Sequence, residues 1–109
     1  MTEVTIYRNK DNKYVGFESK GHSDFANAGK DIVCAAISIL TINCANSIDE
    51  IAHVKCDVSQ KDGYLKVMVR DFDNDKVQLL IESMKLGLNE IQNDYPKNLK
   101  LTIGGVDHD

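Results

Sequence analysis

The sequence predicts one α+β domain spanning residues 1–109, in the order ββαββαβ. Three observations carry that expectation. Two pairs of short alternating runs are each joined by a polar turn, two longer segments have helical composition or period, and one last alternating run follows them. Hairpins and helices are segregated rather than strictly alternating, so the expected architecture is a mostly antiparallel sheet packed with two helices.

The first hairpin is read from Val4 and Ile6, then Val15 and Phe17, each alternating with polar neighbours around Asn9–Lys13. Gly21 to Lys30 has no period and is bounded by glycines, so it is expected to be a loop. From Asp31 onward, Ile32, Val33, Ala35, Ala36, Ile37, Ile39, Leu40, Ile42, Ala45 and Ile48 cover nearly every side of a helix. That distribution predicts a central, buried helix. Its β-branched content would also suit a strand, but the stretch is too long for one. The second hairpin runs from His53 to Gln60 and from Tyr64 to Arg70, turning at Lys61-Asp62-Gly63. Asp73 or Asn74 caps the next helix, whose Val77, Leu80, Ile81, Met84, Leu88 and Ile91 recur at three- and four-residue steps. Pro96 ends it, and Leu99, Leu101 and Ile103 make the last strand.

Composition narrows the function classes. A hydrophobic fraction of 42% with 28% charged residues is that of an ordinary globular domain. A net charge of −4 offers no broad basic field, which counts against direct nucleic-acid binding and leaves open a basic peptide partner. The first residues lack a secretory pattern, and the apolar run Ile32–Ile42 is shorter than the roughly 20 residues that span a bilayer. Three cysteines form no even framework, so reduced thiols in the cytoplasm are expected, with no membrane association.

Chemistry concentrates at the head of the first helix. At about 100° per residue, Asp31, Cys34, Ser38 and Thr41 fall within about 80° of one another. A narrow polar stripe on an apolar helix is costly unless its groups are satisfied or employed. A helix opening at Asp31 would put the Cys34 thiol in the first turn. There, unpaired amides and the dipole favour thiolate and can donate to a developing oxyanion. His22, twelve residues earlier in the loop, is the candidate base. Asp31 either orients that imidazole or caps the helix, and Ser38 either supports the site or bonds back to a helix carbonyl. Equally, Cys34 among Ala, Ile and Val can be a small buried hydrophobe, and a loop histidine merely solvated.

Other features are weaker. Cys56 alternates with Val54 and Val58 as a core residue would. His53 with Cys56 makes no four-ligand set, so no metal and no cofactor is expected. Asp71-Phe72-Asp73-Asn74-Asp75 looks like half a calcium loop but lacks its glycine and distal glutamate, so a helix cap is the better reading. His108 sits in the terminal Asp-His-Asp. A thiol redox sensor is disfavoured because no second cysteine is placed to resolve a disulfide with Cys34.

The run Gly21-His22-Ser23, followed by Gly29-Lys30-Asp31-Ile32-Val33-Cys34-Ala35-Ala36-Ile37-Ser38, resembles the signature of the ribosomal-processing cysteine protease family, Prp. The resemblance extends over essentially the whole chain, with Ser23 and Phe25 standing where Ala and Tyr would be expected. It implies that Cys34 is the nucleophile and His22 its base, with Asp31 and Ser38 at the adjoining acidic and hydroxyl positions. It further implies a homodimer that removes the N-terminal extension of the large-subunit ribosomal protein numbered twenty-seven, cutting beside paired aromatic residues. Gly21 and Gly29 would be the hinges of a loop closing on substrate, so Gly21→Ala is expected to lower activity with little change in melting temperature. Phe25, Ile32 and Val33 are the candidates for the substrate pocket. The competing function is a non-enzymatic, ribosome-associated interaction domain in which Cys34 is structural.

Overall fold

The computed structural model describes residues 1–21 and 28–105, the stretch 28–31 by its backbone path. Five strands and two helices follow one another as β1 (Thr2–Arg8), β2 (Tyr14–Lys20), α1 (Ala28–Glu50), β3 (Cys56–Lys61), β4 (Tyr64–Val69), α2 (Asp75–Asp94) and β5 (Leu99–Gly105). The expected order and the mostly antiparallel sheet are both present. The strands lie in the order β3-β4-β2-β1-β5. Only the β1–β5 pair is parallel, as it must be when β5 returns through the α2 crossover.

The alternation in each hairpin decides which face is buried. Val4, Ile6, Phe17, Leu65, Val67 and Val69 point to the core, where Val33, Ile37 and Ile48 of α1 and Val77, Ile81 and Leu88 of α2 meet them. Asn74 is the α2 cap, its Oδ1 accepting from the amides of Lys76 and Val77 at 2.9 and 3.1 Å. The acidic run before α2 is therefore a turn and cap, with Asp73 also paired to Lys13 at 3.6 Å. Gln78 clamps the first hairpin onto α2. Its Oε1 accepts from the Tyr14 amide, and its Nε2 donates to the carbonyls of Tyr14 and Phe72, each at 2.8 Å.

Helix α1 departs from expectation in two ways. It begins at Ala28, three residues before Asp31. Ala28 and Lys30 are good helix formers, and one glycine near a helix end costs only about 1 kcal/mol. The helix is also not buried on every side. Ile32 is 59% exposed, Ile39 65% and Ile42 37%, while Val33, Ile37, Cys44 and Ile48 fill the core. A two-layer fold with a single sheet can cover only one side of each helix, so the surplus of isoleucine lies outside. By length and composition Ile32–Glu50 could cross a bilayer, yet its inner face is packed as that of a core helix.

The second hairpin departs in one way. Val54 is buried, but Cys56 is half-buried and Val58 is 52% exposed. β3 is the edge strand, and the inward-facing side chains along it run out from under α1.

Candidate active site

Four chain segments converge at one end of the sheet. β1 starts there and β2 ends there, the β3–β4 turn closes it from one side, and the second turn of α1 crosses above. The recess between them has a volume of about 220 Å³. Helix α1 supplies Cys34, Ile37 and Ser38, the strand ends supply Thr2, Ser19 and Gly21, and the turn supplies Asp62 and Gly63. Cys34 is half-buried and Ser38 exposed, so both present their side chains at the recess rather than in the core.

Gly21 ties the walls together. Its amide donates to the Gly63 carbonyl at 2.9 Å, locking the end of β2 to the β3–β4 turn. Its φ is +98°, a backbone conformation open to glycine and strained for other residues. Gly63, at φ +71°, gives the tight turn that the Asp-Gly pair predicts.

The structure sorts the sequence candidates. Cys34 and Ser38 share the recess. Thr41, the fourth member of the stripe, is buried, and its hydroxyl donates to the Ile37 and Ser38 carbonyls at 2.9 and 3.2 Å. It is satisfied within the helix, as a buried hydroxyl must be. His22 and Phe25 lie outside the described residues, as does His108.

Four expectations are corrected. Gly29 is inside α1, so its backbone is helical and not a loop hinge. Asp31 is the fourth helical residue, so it cannot occupy the N-cap position, whose backbone is non-helical. Cys34 is the seventh residue of α1. It therefore lies beyond the four unpaired amides and the first-turn dipole expected to act on it. Val33, only 2% exposed, is packed in the core, whereas Ile32 is at the surface.

Sequence reasoning missed Thr2, Ser19, Asp62 and Gly63 as site residues. Nothing local signals them, because only the sheet order brings strand ends and turn beneath α1. The other cysteines behave differently from Cys34. Cys44 is 4% exposed, its thiol is pushed up to about 12 by burial and the neighbouring Cys56, and it points at the Leu80 carbonyl at 3.6 Å. Cys56 is also raised, by burial and then by the Asp49 and Asp57 carboxylates. Among the described residues no three His, Cys, Asp or Glu side chains gather as a metal site requires.

Comparison with known proteins follows the same outline. The family model for cysteine protease Prp matches residues 1–100. The ribosomal processing cysteine protease Prp of Bacillus subtilis is 33% identical over 108 residues, covering 94% of this chain and 96% of its own. The crystal structure of the ribosomal processing protease Prp from S. aureus with a substrate peptide superposes with a TM-score of 0.86 at 28% identity, covering 94% of this chain and 99% of its own. The same enzyme with a covalently linked product peptide also gives 0.86, at 30% identity and with the same coverage of 94% and 99%.

Proposed function

Because this chain belongs to the cysteine protease Prp family, we propose that its Cys34 is the nucleophile and His22 the general base and acid of peptide cleavage. The observation that carries this reading is the position of Cys34, half-buried on the wall of an open recess, while the core cysteine is Cys44. A structural Cys34, as in a non-enzymatic interaction domain, would sit where Cys44 does.

The chemistry runs by acyl transfer. His22 takes the thiol proton, and the thiolate sulfur attacks the scissile carbonyl carbon. The tetrahedral intermediate collapses, the C–N bond breaks, and the imidazolium proton leaves with the amine. Water, deprotonated by His22, then cleaves the thioester and returns the free enzyme and a carboxylic acid. A covalently linked product peptide on the S. aureus relative fits a covalent route. Ser38, at the rim of the recess, is a supporting polar group, and Asp31 the residue available to orient the imidazole.

The substrate we propose is the N-terminal extension of the large-subunit ribosomal protein numbered twenty-seven, processed in the cytoplasm. The names of the relatives support ribosomal processing, and a net charge of −4 attracts a basic ribosomal tail. The test is cleavage of two synthetic peptides bearing that extension, one with its paired aromatic residues and one with alanine in their place. The expected outcome is cutting beside the aromatics, at a rate that falls with added salt, and little turnover of the alanine peptide. Equal cleavage of both would remove the ribosomal extension as the substrate.

The homodimer is the assembly we propose, supported by the exposed apolar stripe of Ile32, Ala35 and Ile39 on the outer face of α1. A two-fold axis would lay one stripe against its own copy. Light scattering after gel filtration should report two chains for the native protein and one for Ile39→Glu. A monomeric native protein at micromolar concentration would refute this assembly.

A further inference from the structure

A second hollow lies further along the same flank of α1. It has a volume of about 300 Å³, and its walls include Ile42, Ala45 and Asp49 of α1 with Cys56, Val58 and Leu65 of the β3–β4 hairpin. At about 100° per residue, Cys34, Ser38, Ile42, Ala45 and Asp49 fall within about 80° on the helix. The two hollows therefore open on one line. α1 forms one side throughout, and the other side is β3 with the turn that follows it, Asp62-Gly63 standing opposite Cys34 and Cys56 opposite Asp49. β3 pairs only with β4 in the described sheet, so its outer edge offers backbone groups to an extended chain along this groove.

Resting on the proposed assignment of Cys34 as nucleophile, we infer that this second hollow is a specificity subsite that receives an apolar side chain of the peptide substrate remote from the scissile bond. The helix rises about 1.5 Å per residue, so Ile42 and Ala45 stand about 12 and 16 Å from Cys34 along the axis. An extended peptide advances about 3.3 Å per residue, which puts the occupant four or five residues from the cut. The walls decide its character. Ile42, Ala45, Val58 and Leu65 give an apolar side chain its contacts, and Asn46, Asp49, Lys55 and Gln60 complete the walls, where they can meet a polar tip such as a tyrosine hydroxyl. A hollow of this size suits one large aliphatic or aromatic side chain. Remote binding of this kind holds the peptide in register over the thiol.

Cys56 makes the occupant visible. In Cys34→Ala protein two thiols remain, and Cys44 is 4% exposed with its thiol pushed up to about 12, so maleimide labelling reads Cys56. The probes are peptides of the ribosomal extension, with alanine placed in turn at the fourth and fifth positions on each side of the cut. Binding is followed independently by fluorescence anisotropy. The saturating parent peptide should slow Cys56 labelling about tenfold, and one alanine peptide should lose that protection while still binding. Anisotropy showing binding without protection overturns the subsite alone. A peptide that does not bind at all overturns the ribosomal substrate and the subsite together. A second variant keeps the nucleophile. Val58→Glu, at a 52% exposed strand position, should raise KM for the parent peptide about tenfold and leave it nearly unchanged for the unprotected alanine peptide. Equal effects on both peptides would also overturn the subsite.

Discussion

Cys34→Ala protein should be folded and inactive. Cys34 is half-buried, its neighbours Ala35 and Ala36 already show that alanine suits this turn of the helix, and only one sulfur is lost. The stability cost should be about 1 kcal/mol, read from the urea midpoint. Cleavage of the ribosomal peptide should fall by a factor of at least about a thousand, because Cys34 is the thiol among the described residues that line this recess. His22→Ala should lose a comparable factor, and alkylation of Cys34 at neutral pH should slow with it, because the thiol loses the acceptor for its proton and less thiolate forms. The alkylation arm separates the two roles. A His22→Ala protein whose Cys34 reacts at the native rate would leave Cys34 as nucleophile and remove His22 as its base. Full hydrolysis by folded Cys34→Ala protein would end the nucleophile assignment itself.

Much of the fold was legible because its signals are local. Asp62-Gly63 allows one tight turn, the Val-Leu alternation of β4 allows one buried face, and the 3.6-residue period of α2 allows one packed side. Helix α1 was harder to read for a physical reason. Its isoleucines are distributed all round, and periodicity cannot say which of them a single sheet will cover. The surplus at Ile32 and Ile39 records a surface, not a deeper core. The helix start was misread because Gly29 looked like a breaker, although glycine near a helix end is tolerated, and this moved Cys34 from the first turn to the second.

The site was legible only along the helix. Spacing alone placed Cys34 and Ser38 on one flank, and both do line the recess. The opposite wall comes from Thr2, Ser19 and the Asp62-Gly63 turn, three places separated from Cys34 and from one another along the sequence. They meet only because β2 pairs with both β1 and β4. The same topology brings Cys56 to the second hollow instead of the core, since the strand that carries it is the sheet's edge.

Gly21→Ala is where the structure most changes the expected result. From the sequence, this glycine is a hinge whose replacement should leave the melting temperature nearly intact. In the folded chain its φ is +98°, and a Cβ placed there would stand 2.5 Å from the backbone oxygen of Met1. Main chain cannot swing aside as a flexible side chain would. Left-handed strain and overpacking should together cost about 3 kcal/mol. For a domain of this size that lowers the melting temperature by more than about 10 °C. Relief requires the start of β1 to retreat or the Gly21 amide to leave the Gly63 carbonyl, and either movement opens a wall of the recess that holds Cys34. Activity should therefore fall even at temperatures where the variant is fully folded. Gly105→Ala is the control, because a Cβ there meets nothing within 4 Å. Calorimetry on both variants, with peptide cleavage measured well below each transition, gives the comparison. A Gly21→Ala protein that melts with the native one but has lost turnover would restore the free hinge, and one that keeps both would separate this junction from catalysis.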